Sequence, residues 1–550
     1  MPLRLLKRAT KPLFLGADER TTTYIGHDTK GRPIGMVPTQ MKGHILLTGT
    51  TGAGKTEALL SLMSNAFATG SGGVMVDGKG DVSVYAKMFA MADYFDRRDD
   101  LYVINFMTGH STTPTLQRSH RFNPFEKGLP DALAGLLTKM FEDPAIPSMW
   151  TGRASAMLSG LMRMLCWLRD EKGRYLDVVV IRDSIQFRAL FDLAFSEEFA
   201  DAPAACRAPL RAYLSSLGAF AIEKGYDQSQ ETLNQQAYIE MQLTRSLGMM
   251  ADVYGHIFAA GGSDVDIEDV VKNRRFLLVM LPALEKSRDE IALLGKIVVA
   301  ALQSMASSLL WTNEASPEVL KGIGLPPGGD DAQPPFLCIL DEATYYAVSG
   351  FDLLAAQARG LGISLVISCQ DIQSLFDANS RVARAIVSNT ATKIIMRTEC
   401  WHPALDDMIV SAEAGRDDVA RAISRHADPG RNLFGSARKF AASQNEGDFI
   451  LLNSGKMIIG KSIYFTIREV RHLVLSVPRF RCVRRAAESL LLLVEEKQFD
   501  DNDSVPRIVR ALAEDADGSA TDALSTALAG LHPTAAKFAA VAADVVRIGE

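Results

Sequence analysis

The sequence lacks the features that hold small secreted domains together or carry a chain across a bilayer. Its six cysteines (Cys166, Cys206, Cys338, Cys369, Cys400 and Cys482) form no C-x-x-C pair and have no paired histidines nearby. That excludes a disulfide framework and a thiolate zinc site, and leaves each cysteine as a small core hydrophobe in a reducing cytosol. No run reaches the roughly 18 uncharged apolar residues that a spanning helix needs. The best candidate, Ile297 to Trp311, contains Gln303 and three serines and reads as a core helix. The first residues, MPLRLLKRATKPLFLG, are basic but have no apolar core or cleavage site of a secretory signal. Internal repeats and long low-complexity tracts are missing too. So is any surplus of positive charge: the net charge is −6, and the stretch from Glu495 onward, with eleven acidic and five basic residues, accounts for all of it. The body is therefore no globally basic nucleic-acid binder, and any DNA contact must come from local patches.

What is present is a soluble globular composition, 47% hydrophobic and 23% charged, in 550 residues, too long for one ordinary domain. A turn-rich stretch, Tyr24 to Ile34, reads as a hairpin. His44–Thr48 reads as a buried strand running into a glycine loop, with a helix from Glu57 to Phe67. Further strands are expected at Gly73–Val76, Leu101–Phe106, Phe276–Leu281, Phe336–Leu340, Ile363–Ile367, Lys393–Arg397 and Asp448–Leu452, with a helix from Asp289 to Leu310. Alternating strands and helices predict a parallel α/β sheet. From Pro130 to Ile267 apolar residues recur at helical spacing (Met157, Leu161, Leu165, Leu168), so an all-helical insertion is expected; Val178–Ile181 is ambiguous because β-branched residues suit strands as well. Trp150 and Trp167 read as core.

Gly49-Thr-Thr-Gly-Ala-Gly-Lys55-Thr56 matches G-x4-G-K-[ST] between a strand and a helix. Such glycines let successive N–H groups face phosphates at a helix N-terminus. Gly49, Thr50, Thr51, Gly52, Ala53, Gly54, Lys55, Thr56 and Glu57 are therefore candidate ATP-binding residues. Lys55 is expected on the β- and γ-phosphates, and Thr56 on Mg²⁺. The apolar strand ending in Asp341 and Glu342 supplies the carboxylates such a site needs on a neighbouring strand, Asp341 for Mg²⁺ and Glu342 to polarise water. Gln370, after the strand Ile363–Ile367, could orient that water, or be a surface amide. Arg359 could reach a neighbouring subunit's nucleotide as an arginine finger, or simply cover a helix surface. Asp77, Lys79 and Asp81 sit at a strand's carboxyl end, where open sheets bind ligands, although turn chemistry explains them equally. The cluster Arg479, Arg481, Arg484, Arg485 could touch phosphates but is more often a solvated face.

Together Gly49–Thr56, Asp77-Gly-Lys-Gly-Asp81, Phe122-Asn-Pro-Phe125, Leu340-Asp-Glu342, Ala358-Arg-Gly360, Ser368-Cys-Gln370 and Ser388-Asn-Thr390 resemble the type IV secretion coupling proteins, over about residues 20 to 475. The resemblance implies a RecA-like P-loop NTPase domain with a parallel-rich sheet (1–130 and 269–478), an inserted all-α domain (131–268) and a helical acidic C-terminal extension (479–550). It also implies a hexameric ATPase with nucleotide at the subunit seams. Such a ring drives DNA, a relaxase–DNA complex or effector proteins with adaptors into the channel, at the cytoplasmic face of the bacterial inner membrane. Family members usually begin with a transmembrane hairpin, and Met1 falls near where that hairpin would end. A removed anchor or a separate membrane subunit is therefore expected. Two other classes compete: a free-standing DNA translocase of the chromosome-segregation or repair type, and a scaffold in which nucleotide is structural.

Overall fold

The computed structural model describes residues 13–14, 23–107, 119–141, 148–259, 262–283, 285–313, 334–345, 355, 357–399, 402–405, 441–453 and 456–464. The arginine cluster at 479–485, the acidic extension, Cys400, Cys482 and the Trp150 side chain lie outside them. Residues 1–95 and 102–473 make one compact unit; a second, 96–101 with 474–550, is described only as the short turn around Arg98–Asp100.

The strands are β1 (Leu13–Phe14), β2 (Thr23–Asp28), β3 (Pro33–Met36), β4 (Ile45–Thr48), β5 (Gly73–Asp77), β6 (Leu101–Asn105), β7 (Phe276–Met280), β8 (Phe336–Leu340), β9 (Ile363–Cys369), β10 (Thr392–Met396), β11 (Asp448–Asn453) and β12 (Lys456–Ser462). Among the described residues they form a single sheet ordered β1-β3-β2-β12-β11-β10-β4-β9-β8-β5-β7-β6. From β10 through β4, β9, β8 and β5 to β7 every pairing is parallel. Every residue of β4, β5, β7, β8 and β9 is buried. A parallel strand covered on both faces has no solvent side, which is why these segments read as near-continuous apolar runs.

On the other flank β10, β11, β12, β2 and β3 pair antiparallel. The hairpin expected at Tyr24–Ile34 is β2 and β3. β12 was not expected. Lys456, Gly460 and Lys461 leave it only the short apolar run Met457–Ile459, so it carries no continuous signal.

Helix α1 (Lys55–Ala68) follows β4 and buries Leu59, Leu60, Leu62, Met63 and Phe67; Phe67 stacks on Phe276 of β7. Helix α2 (Val82–Tyr94) follows β5, and the Asp81 carboxylate caps it by accepting from Ser83 N.

Between β6 and β7 the structure holds the expected succession of helices, the longest being Ser148–Lys172 and Gln230–Gly248. Val178–Ile181 proves helical, within Val178–Ser184: Asp177 accepts from Val180 N as the cap, and Val178 and Ile181 turn inward. Capping and burial outweigh the β-branched preference. Trp167 packs half-buried against the core. Cys166, Cys338 and Cys369 are buried and Cys206 half-buried, all as free thiols.

The Phe122-Asn-Pro-Phe125 run closes the neck of this insertion. Phe122 N donates to Ile257 O, and the Asn123 amide donates to Leu176 O at 2.8 Å. The Arg121 guanidinium holds Asp264 at 2.8 Å. Outgoing and returning chains are thus tied together beside the sheet.

Candidate nucleotide-binding site

β4 ends at Thr48, the loop occupies Gly49 to Gly54, and α1 begins at Lys55. Gly52 and Gly54 have φ of +73° and +90°, a region glycine adopts without strain. At Gly54 space forbids a side chain as well, since a Cβ would stand 2.5 Å from the Tyr464 hydroxyl. The loop is strapped from one side. Thr50 N donates to Arg397 O at 2.8 Å, just beyond β10, and Gly447 N donates to Ala53 O at 3.0 Å, just before β11.

Lys55 is only 4% exposed, and its Nζ donates to Gly49 O at 2.6 Å, folded back on its own loop. The same Nζ stands 3.9 Å from Glu342 Oε1. Burial holds its pKa below the ordinary lysine value, against the pull of Glu342. Thr56 Oγ1 donates to Asp341 Oδ2 at 3.3 Å, and the other Asp341 oxygen accepts from Glu342 N at 3.0 Å. Asp341 and Glu342 are both buried. The acid-bearing β8 is not the immediate neighbour of β4, as the sequence suggested, but lies one strand beyond, with β9 between them. Gln370, exposed just past that intervening strand, reaches the loop, its Nε2 donating to Thr51 Oγ1 at 3.2 Å.

The turn after β5 does both things the sequence left open. The buried Asp77 carboxylate accepts from Lys79 N at 3.0 Å and Asp81 N at 2.7 Å, which is turn chemistry. That turn then aims Lys79 at Glu342, Nζ to Oε1, at 3.1 Å. Gly78 makes the approach possible, because a Cβ there would lie 2.8 Å from Asp341 O. Burial, against those two hydrogen bonds, pushes the Asp77 pKa up to about 6. For Lys79 burial acts downward, but Asp341 and Glu342 outweigh it and raise the ammonium's pKa. Glu342 itself sits at φ +53°, left-handed backbone that a side-chain-bearing residue seldom adopts. Just past β7, Leu281 N donates to Asp77 O at 3.0 Å, joining the turn to the next strand.

Two candidate residues stand apart. Glu57, in the first turn of α1, pairs with Lys87 rather than with the acids. Arg359 lies exposed in the turn Ala358–Leu361 that leads into β9, whereas Gln370 follows β9, so the strand's length separates Arg359 from its own chain's phosphate loop. Nearby, Leu365 N donates to His44 Nδ1 at 3.1 Å and the ring's Nε2 bonds Ala355 O at 2.8 Å. Arg397 escaped the sequence analysis. The signal was available, because it follows an apolar strand at the same carboxyl edge as Asp341.

Among the described residues no group of three or more His, Cys, Asp or Glu could hold a metal by itself. The hard oxygens of Thr56 and Asp341 suit Mg²⁺, an ion that completes its shell with water and phosphate.

A family model described as the type IV secretion-system coupling protein DNA-binding domain matches residues 32–215, and one described as the TraM recognition site of TraD and TraG matches residues 335–447. Over 403 residues the chain is 40% identical to the type 4 coupling protein DotL of Legionella pneumophila subsp. pneumophila (strain Philadelphia 1). The chain belongs to the type IV secretion coupling protein family. The match covers 70% of this coupling protein and 51% of DotL, so the chain spans about half the length of that relative. Its fold is that of the solved conjugative coupling protein TrwBdeltaN70 in its unbound monoclinic form, with a TM-score of 0.50 at 15% identity, covering 84% of this chain and 92% of that one. TrwB in complex with the non-hydrolysable ATP analogue ADPNP gives the same score and identity over 85% and 94%. The RecA-like P-loop class expected from sequence is therefore the fold observed. Membership in this family does not favour the free-standing DNA translocase.

Proposed function

We propose that this coupling protein hydrolyses ATP at the Gly49–Thr56 loop and uses the energy to drive macromolecules into a type IV secretion channel. The observation that carries the proposal is the convergence of Lys55 and Thr56 from one strand end with Asp341 and Glu342 from another, at 3.9 and 3.3 Å. Nucleotide binding by the related TrwB supports it.

The loop N–H groups and Lys55 hold the triphosphate, Lys55 exchanging the Gly49 carbonyl for phosphate oxygen. Thr56 and Asp341 are the residues that hold Mg²⁺, which when bound offsets the negative charge on the β- and γ-phosphates. Glu342 accepts a proton from the attacking water, and Gln370 orients that water. Arg359, remote from its own chain's loop, serves the neighbouring subunit in a hexamer. The nucleotide domain comprises 1–130 and 269–478, the helices of 131–268 engage substrate, and the extension 479–550 docks adaptors or basic substrates. Work is done at the cytoplasmic face of the inner membrane through an anchor or a membrane partner; among the described residues no helix is long and apolar enough to cross a membrane.

The test is ATP turnover by the wild-type chain and by Lys55→Ala and Glu342→Gln, with and without duplex DNA. Both variants fold and lose turnover. DNA stimulation marks a nucleic-acid cargo, and its absence favours protein cargo. Wild-type rates in either variant refute the site.

A further inference from the structure

Two strands flank β4, and each hands one side chain to the same residue of the phosphate loop. On the β9 side Thr48 lies opposite Cys369, so Gln370 follows beside the loop. On the β10 side Thr48 lies opposite Ile395, and Arg397 follows two residues on. Gln370 Nε2 donates to Thr51 Oγ1, and Arg397 Nη2 donates to the Thr51 carbonyl at 3.3 Å. The same Nη2 borders Gly52, where a Cβ would stand 3.4 Å from it. The Arg397 backbone is fixed separately, its carbonyl accepting from Thr50 N at 2.8 Å and Thr50 Oγ1 at 3.1 Å. Among the described residues the half-buried guanidinium makes that one bond to Thr51 and pairs with no carboxylate. The site's lysines differ, since Lys55 and Lys79 stand 3.9 and 3.1 Å from Glu342. A guanidinium has five N–H donors in a fork that matches phosphate, and here one of the five is spent on protein.

We infer that Arg397 is a catalytic arginine acting in cis, which binds the γ-phosphate of the ATP held by its own chain. The inference rests on ATP binding at the Gly49–Thr56 loop, proposed above. The γ-phosphate is the one named because Gln370, the group assigned to the attacking water, meets the same loop residue from the other side. On binding, the guanidinium exchanges the Thr51 carbonyl for phosphate oxygen, as Lys55 exchanges that of Gly49. In the reaction the water oxygen bonds to the γ-phosphorus and Glu342 takes the water's proton. The bond to the β–γ bridging oxygen breaks, and ADP leaves with that electron pair. Negative charge on the transferring group has to be met by fixed cations, and the Lys55 charge is already shared with Glu342. Arg397 supplies the charge that no carboxylate competes for. It serves its own chain's nucleotide, whereas Arg359, a strand's length from its own loop, is assigned to a neighbour's.

The experiment compares the full wild-type chain with Arg397→Ala in ATP turnover, in titration with ADP and with a non-hydrolysable ATP analogue, each with Mg²⁺, and in ligand-free melting. Arg397→Ala loses turnover on the order of 100-fold and about ten-fold in affinity for the ATP analogue. ADP affinity and the ligand-free melting temperature hold, because the Arg397 carbonyl that straps Thr50 survives the substitution. Mixing Arg397→Ala with Lys55→Ala restores no turnover, since no chain then carries both an intact loop and an intact arginine. A variant that turns over ATP at the wild-type rate, or that loses ADP and the ATP analogue equally, overturns the γ-phosphate assignment. Recovery in the mixture overturns action in cis. If the wild type binds neither nucleotide, the nucleotide site itself is refuted, and this inference with it.

Discussion

At Gly54 two constraints meet on one atom: backbone at φ +90° and a phenol where a Cβ would go. Gly54→Ala is therefore expected to destabilise the chain by about 1–3 kcal/mol and to abolish ATP binding, measured by urea denaturation and by titration. Lys79 offers a second residue-scale test. It shares Glu342 with Lys55, so Lys79→Met leaves a buried carboxylate with one cation nearby rather than two. Turnover should fall on the order of ten-fold or more with little change in ATP affinity, seen as a drop in kcat at constant KM. Loss of affinity instead would make Lys79 a phosphate ligand. Residues of this kind divide sharply in how far sequence reveals them. Lys55 and Thr56 were legible because the loop needs them next to its glycines. Lys79 could be flagged but not assigned, because only the fold brings its turn onto β8. Tyr464 carried no signal, since an isolated phenol becomes informative only when the fold shows that it abuts Gly54.

Elements show the same division for a different reason. Strands β4, β5, β7, β8 and β9 were readable because burial on both faces makes them nearly continuous apolar runs, with polar residues confined to strand ends and two buried serines in β9. The helix Val178–Ser184 was not, because its residues favour strand and only Asp177 and the surrounding core decide otherwise. β12 was missed because lysines and a glycine cut its apolar stretch to three residues, Met457–Ile459. A pH effect belongs at this scale. His44, at the start of β4, joins that strand to β9 and to Ala355 through a ring that accepts from Leu365 N and donates to Ala355 O. Burial, then the nearby Arg359, holds its pKa below the ordinary imidazole value, so the folded state prefers the neutral ring. Its stabilising contribution is therefore complete above the unfolded pKa of about 6.5 and is lost as pH falls through the lower folded value. Denaturation midpoints should drop below about pH 6.5, and His44→Asn, which tolerates the φ of +62°, should flatten that dependence.

For the whole molecule the exposed Arg359, a strand's length from its own loop, makes ring assembly testable without a structure of the ring. Lys55→Ala and Arg359→Ala should each be inactive alone, and mixing them should restore part of the ATPase rate, because some seams then pair an intact loop with an intact arginine. A mixture as dead as its components would remove Arg359 from the seam.

The helical insertion leaves the sheet after β6 and returns into β7, and its neck is cinched by Arg121 and Asp264. β7 lies beside β5, and the bond from Leu281 to the Asp77 carbonyl couples its end to the turn that presents Lys79. If, as proposed, those helices engage cargo, a pull on them would reach, through β7 and one hydrogen bond, the turn whose ammonium pairs with Glu342. On the proposed function, load on the insertion and the carboxylate assigned to the attacking water would be geared together through one strand, one hydrogen bond and one turn.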